Sequence, residues 1–169
     1  MAYLRRKVDQ QMGFCNDLLH MVVEVTAHGA LRNALCWQLE QSLCFYLLEV
    51  ARASGNRRWS HGWTLDSNML KSALESVPCA DFQELVDLSQ ESNSWLADLL
   101  GGLENLRKAE ESQSLKAELF QPDIIETQPQ FIVRSGTPFP FVLEWENLVR
   151  ITGAMYSVIQ RQRLGHDEY

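Results

Sequence analysis

The stretch Leu31-Arg-Asn-Ala-Leu35-Cys-Trp-Gln-Leu39-Glu-Gln-Ser42-Leu-Cys44-Phe-Tyr46-Leu-Leu48-Glu-Val50 decides the fold. Leu31, Leu35, Leu39, Ser42, Tyr46 and Val50 recur at spacings of three and four, which draws one face of a helix. Trp37, Cys44, Phe45 and Leu48 widen that face, and a helix so apolar belongs at the centre of a bundle. The reading places this helix from about Ala30 to Ser54, closed by Gly55-Asn56. Upstream, Leu4, Val8, Met12, Cys15, Leu19 and Val22 mark a first helix from about Ala2 to Ala27. His28-Gly29 is its expected stop. Two long helices joined by so short a connection pack antiparallel.

Downstream the elements shorten. Asp66 or Ser67 caps a helix through Ser76, ended by Pro78. Asp81 with Glu84 reads as a capping box for a helix through Leu88. Ser92, Asn93 and Ser94 offer caps for a helix that begins near Trp95 and fades around Glu111. Its Gly101-Gly102 pair is expected where another helix approaches closely. From Ser114 to Phe141 four prolines break the helical period, and Gln130–Arg134 reads as extended, with Ile124-Ile125 as a hairpin partner. Thr137 with Pro138 is expected to cap a final helix, buried along Trp145, Leu148, Val149, Thr152, Met155, Tyr156 and Ile159, with Gly165 as its stop. The fold class is therefore all-α. It is a single domain over residues 1–169, a bundle of five to six helices with an extended insertion around 123–136.

Composition narrows the function. The 169 residues carry a net charge of −7, which argues against a general nucleic-acid binder. The charge is uneven: residues 1–58 sum to +2, residues 59–128 to −9 and residues 129–169 to zero. No stretch is long and apolar enough for a membrane span, and Asp9, Gln10 and Gln11 interrupt any signal-like run. Cys15, Cys36, Cys44 and Cys79 include no CxxC pair, so free, mostly buried thiols in a reducing cytoplasm are expected.

Three constellations could carry chemistry. His20, Glu24 and His28 would share a face of one continuous helix, as two imidazoles and a carboxylate in a metal site do. Polar decoration of a helix end explains them more simply, and no metal or other cofactor is expected. Arg161-Gln-Arg-Leu-Gly-His166 fits the Arg-x4-His pattern of HEPN-type ribonucleases, in which a His moves protons while an Arg steadies phosphate charge. With four His in the chain, about one such match is expected by chance. The third is Asn56-Arg57-Arg58-Trp59-Ser60-His61-Gly62-Trp63. Arg and Trp dominate interface hot spots, so Arg57, Arg58, Trp59, His61 and Trp63 are the candidate partner-binding residues. The competing reading folds the tryptophans into a satellite core and pairs the arginines with the acidic middle segment.

The Leu31–Val50 helix, Phe82-Gln-Glu-Leu-Val-Asp-Leu-Ser-Gln with Ser94-Trp-Leu-Ala-Asp-Leu-Leu, and Phe131-Ile-Val before a last helix together resemble a family of small uncharacterised bacterial helical proteins. The resemblance covers most of the chain and rests on packing motifs, so it transfers no activity to any residue. Thr137-Pro-Phe-Pro and Arg57-Arg58-Trp59 depart from it. The function expected is a non-enzymatic, cytoplasmic helical protein working through contact with a protein partner, with a homodimer also admitted. The alternative is a HEPN-like ribonuclease or toxin-module protein using Arg161 and His166.

Overall fold

A computed structural model describes residues 2–21, 28–60, 64–119 and 143–167. They form six helices: α1 (Ala2–Met21), α2 (His28–Ala53), α3 (Ser67–Ser76), α4 (Ala80–Gln90), α5 (Trp95–Leu119) and α6 (Trp145–Asp167). No strand occurs among the described residues, and the all-α expectation holds. The extended insertion around 123–136 and its hairpin lie outside the described residues.

Local chemistry sets several of the boundaries. At the end of α2, Gly55 takes a left-handed conformation (φ 83°). Its N–H donates to the Arg52 carbonyl at 3.2 Å, and the Asn56 N–H donates to the Ala51 carbonyl at 2.9 Å. These two bonds are the Schellman closure expected of Gly55-Asn56. Asp66 caps α3 by accepting from the Met69 N–H at 2.7 Å, and Ser94 Oγ caps α5 by accepting from the Ala97 N–H at 3.0 Å. Between α4 and α5, Asn93 sits at φ 68°, a conformation that Asn tolerates better than most residues.

The helices pack on one apolar core. α2 is its axis: Leu35, Leu39, Leu43, Cys44, Tyr46 and Leu47 are fully buried, and α1, α4, α5 and α6 all lean on this helix. Val8, Met12 and Cys15 bring in α1, and Leu148, Ile151, Met155 and Ile159 bring in α6. Near the start of α1, Asp9 shares the Arg163 guanidinium with Glu49, near the end of α2. The start of α1 therefore meets the ends of α2 and α6, and α1 runs antiparallel to both.

Several expectations need correction. His28 and Gly29 do not stop the first helix; they open α2. Asp81 and Glu84 form no capping box, because α4 starts at Ala80 behind Cys79, which makes no side-chain cap. Helix α5 does not fade at Glu111 and continues to Leu119. Thr137 and Pro138, expected to open the last helix, lie outside the described residues. Leu143 and Glu144 are non-helical, and α6 begins at Trp145. Nor does Gly165 stop it, since α6 continues to Asp167. On α6, Val149 and Tyr156 face outward, about half exposed, while Gln162 and Arg163 are buried. Gly101 is not covered by a neighbouring helix: a Cβ there would meet open space.

Candidate functional site

The loop that follows α2 is fixed from within. Asn56 does most of the work: its Oδ1 accepts from the backbone N–H of Arg58 at 3.2 Å and of Trp59 at 3.0 Å. Its Nδ2 donates to the Ser76 carbonyl at the end of α3 at 3.2 Å. Such an Asx turn holds a short loop rigid without buried area. Trp59 then packs against the core, its ring 5.7 Å from that of Phe82 and tilted by 50°. Between these two anchors the Arg57 and Arg58 side chains are exposed, and neither forms an ion pair with a described residue. The two readings of this loop therefore divide. Trp59 is satellite core, whereas Arg57 and Arg58 form no ion pair with the described residues of the acidic middle segment. His61 and Trp63 lie outside the described residues.

A polar network occupies the same end of the bundle. The Arg163 side chain is only 5% exposed. It donates from Nε and Nη2 to the two oxygens of Glu49 (2.9 and 2.6 Å), from Nη1 to Asp9 at 2.6 Å, and weakly to the Arg5 carbonyl. Burial alone would lower the guanidinium's proton affinity; the bonds to Glu49 and Asp9 outweigh it and hold Arg163 above its ordinary value. One residue earlier, Gln162 accepts from the Tyr46 hydroxyl and donates to Glu84 at 2.8 Å. Arg161 pairs with the same Glu84 at the surface. Three consecutive residues thus join α6 to α1, α2 and α4. Beside Arg163 a cleft of about 770 Å³ runs between α1 and α6, lined by Met12, Gly13, Val149, Gly153 and Tyr156 among others.

A second buried pair ties the middle of the chain together. Glu40, almost wholly buried on α2, accepts from the Leu65 N–H at 2.6 Å and from Arg107 of α5. Arg107 also donates to the Leu65 carbonyl at 3.3 Å and lies 5.7 Å above the Trp37 ring. Burial pushes the Glu40 carboxyl above its ordinary value, and the bonds from Leu65 and Arg107 only partly offset it.

His20 ends α1 and His28 opens the antiparallel α2, so they do not share one helix face; Glu24 lies outside the described residues. Among the described residues no group of three or more His, Cys, Asp or Glu could hold a metal ion. Arg161 and His166 both lie on α6, five residues apart. Burial raises the Cys15, Cys36 and Cys44 thiols to about 12, so they stay protonated and unreactive. No described helix is long and apolar enough to cross a membrane. Sequence reading missed Glu40, Glu49, Arg107 and Arg163. Each stands in a helical run as an ordinary polar residue, and only the facing helix reveals its partner.

Residues 16–138 match the model of DUF6586, a family of unknown function. The chain belongs to this family. Comparison with curated proteins and with solved structures finds no match. The DUF6586 stretch contains α2 to α5 and the Arg57–Arg58 loop, and it leaves α6 and most of α1 outside. Glu49, Tyr46 and Glu84 of the polar network thus lie within the DUF6586 match, and their partners Arg163, Gln162 and Arg161 lie beyond it.

Proposed function

We propose that this DUF6586 protein acts without catalysis, through contact with a protein partner that docks on the Arg57–Arg58 loop. The observation that carries the reading is the pairing of a fixed backbone with free side chains. Asn56 and Trp59 hold the loop on both sides, while two guanidiniums face solvent without an ion pair to any described residue. A pre-ordered loop loses little conformational entropy on binding, and Arg is enriched among residues that dominate interface energy. The complementary surface is acidic, since two adjacent guanidiniums recognise carboxylates bidentately. Within this reading Trp59 anchors the loop, and His61 and Trp63, outside the described residues, belong to the same partner-binding set.

The test is the double variant Arg57→Ala with Arg58→Ala, assayed by thermal melting and by affinity capture from native lysate with mass spectrometry. Surface substitutions of this kind change stability by less than about 0.5 kcal/mol, so melting should be nearly unchanged. Capture of the main partner should weaken by about 30-fold, which corresponds to about 2 kcal/mol at an interface hot spot. A clear drop in melting temperature with capture intact would return the loop to the core. RNA cleavage by the purified protein, lost in His166→Ala, would replace this reading with a nuclease.

A further inference from the structure

Helix α1 carries a second stripe besides the one it buries. Tyr3, Phe14 and Met21 are 66%, 45% and 52% exposed, three of the large apolar side chains that the described surface leaves in water. At 100° per residue they fall within about 20° of one line along the helix. That line is turned about 140° from the buried line of Val8, Met12 and Cys15. Lys7, Gln10 and Asp17 lie within about 45° of it. Lys7 donates to Gln10 at 3.4 Å and sits 5.9 Å above the Tyr3 ring. Asp17 is exposed and makes no ion pair with a described residue.

The order along this stripe is self-complementary. Tyr3 and Met21 are equidistant from residue 12, as are Lys7 and Asp17, and Gln10 and Phe14. Two copies of α1 laid antiparallel with their two-fold axis at residue 12 would set Tyr3 against the second copy's Met21 and Lys7 against its Asp17. Gln10 would meet Phe14. The basic residue stands before the axis and the acidic one after it, so the ion pair forms twice, whereas a parallel pairing would set like charges together. Arg6, next to Lys7 and exposed, adds to the same attraction. From this charge complementarity we infer that the outer face of α1 is the interface of a symmetric homodimer. Such an interface is isologous, with the same patch on both subunits. The apolar residues supply the attraction and the charges fix direction and register.

Analytical ultracentrifugation over a concentration series, with carbodiimide crosslinking of mixed light- and heavy-isotope protein, tests the inference. The unmodified protein should dimerise, and Phe14→Glu should make it monomeric. Lys7→Asp or Asp17→Lys alone should each weaken association by about tenfold or more, and the two together should restore it. Circular dichroism accompanies each variant; Phe14 and Asp17 are exposed and Lys7 is partly exposed. The crosslink is read on the unmodified protein and needs no variant. Lys7 and Asp17 lie about 15 Å apart on one helix, too far for a zero-length link, so a Lys7–Asp17 crosslink joins two copies. A monomer at about 100 µM, a crosslinked pool without the mixed-isotope Lys7–Asp17 peptide, or a double variant as weak as the singles would overturn the inference. The Arg57→Ala, Arg58→Ala variant should dimerise normally, which separates this face from the partner-docking loop.

Discussion

Glu40 shows how one residue can join distant parts of a chain at a cost to itself. Its carboxylate receives the Leu65 N–H and the Arg107 guanidinium, yet burial is the largest influence and raises it above the ordinary 4.5. A raised value in the folded state means that folding favours the protonated form. The stabilisation linked to Glu40 is therefore fully present below pH 4.5 and is lost as pH rises through the folded value. In urea unfolding, the wild type should gain stability relative to Glu40→Gln as pH falls from 7 toward 4.5. If the wild type instead loses ground on acidification, Arg107 outweighs burial and the sign is wrong. A paired charge in a partly dry site is weak evidence for stability by itself. This role was not legible in the sequence, because Glu40 stands in the quoted Leu31–Val50 run like any residue on a polar edge. Tyr46 and Leu39, by contrast, were legible as core from spacing alone, and both are buried.

At the scale of elements, legibility followed locality. The cap at Asp66, the start behind Ser94 and the turn at Gly55 all depend on atoms within a few residues, and the sequence shows those atoms. Other helix ends were misplaced: α5 outlasts Glu111, and α6 passes through Gly165. A glycine lowers helix propensity without forbidding a helix, and packing elsewhere on α6 overrides it. The same argument yields a prediction for α5. Gly101 is exposed in a helix interior, its φ is ordinary and a Cβ there would meet nothing. Gly101→Ala should therefore stabilise the fold by about 0.5–1 kcal/mol, largely by restricting the unfolded chain. A melting temperature higher by about 1–4 °C is the expected reading. A decrease would show that this face of α5 is covered after all, as the sequence reading supposed. Gly102, next to it and buried, makes a poor substitute for this test.

On the scale of the whole molecule, Arg163 is the joint at which three helices meet. Its partners lie 114 and 154 residues away in sequence, which is why no local pattern could announce it. Arg161 and Arg163 stand two residues apart in the Arg161–His166 stretch, of which the sequence reading singled out Arg161. The structure divides them, with Arg161 exposed on Glu84 and Arg163 enclosed by Glu49 and Asp9. Asp9 is about half exposed and can turn to water if its partner is lost, whereas Glu49 is nearly buried. The damage from removing Arg163 therefore falls on Glu49. Arg163→Met should cost about 3–5 kcal/mol in urea unfolding, the usual penalty for leaving one buried charge without its partner. In a Glu49→Gln background the same substitution should cost much less, because no carboxylate is then stranded. Asp9→Asn should cost less than about 1 kcal/mol, in line with an exposed pair. The cycle over Arg163 and Glu49 should return a coupling of about 2–3 kcal/mol. Near-zero coupling would mean that Arg163 contributes only through the packing of its stem. The end of the bundle would then be held by Tyr46, Gln162 and the apolar residues around them.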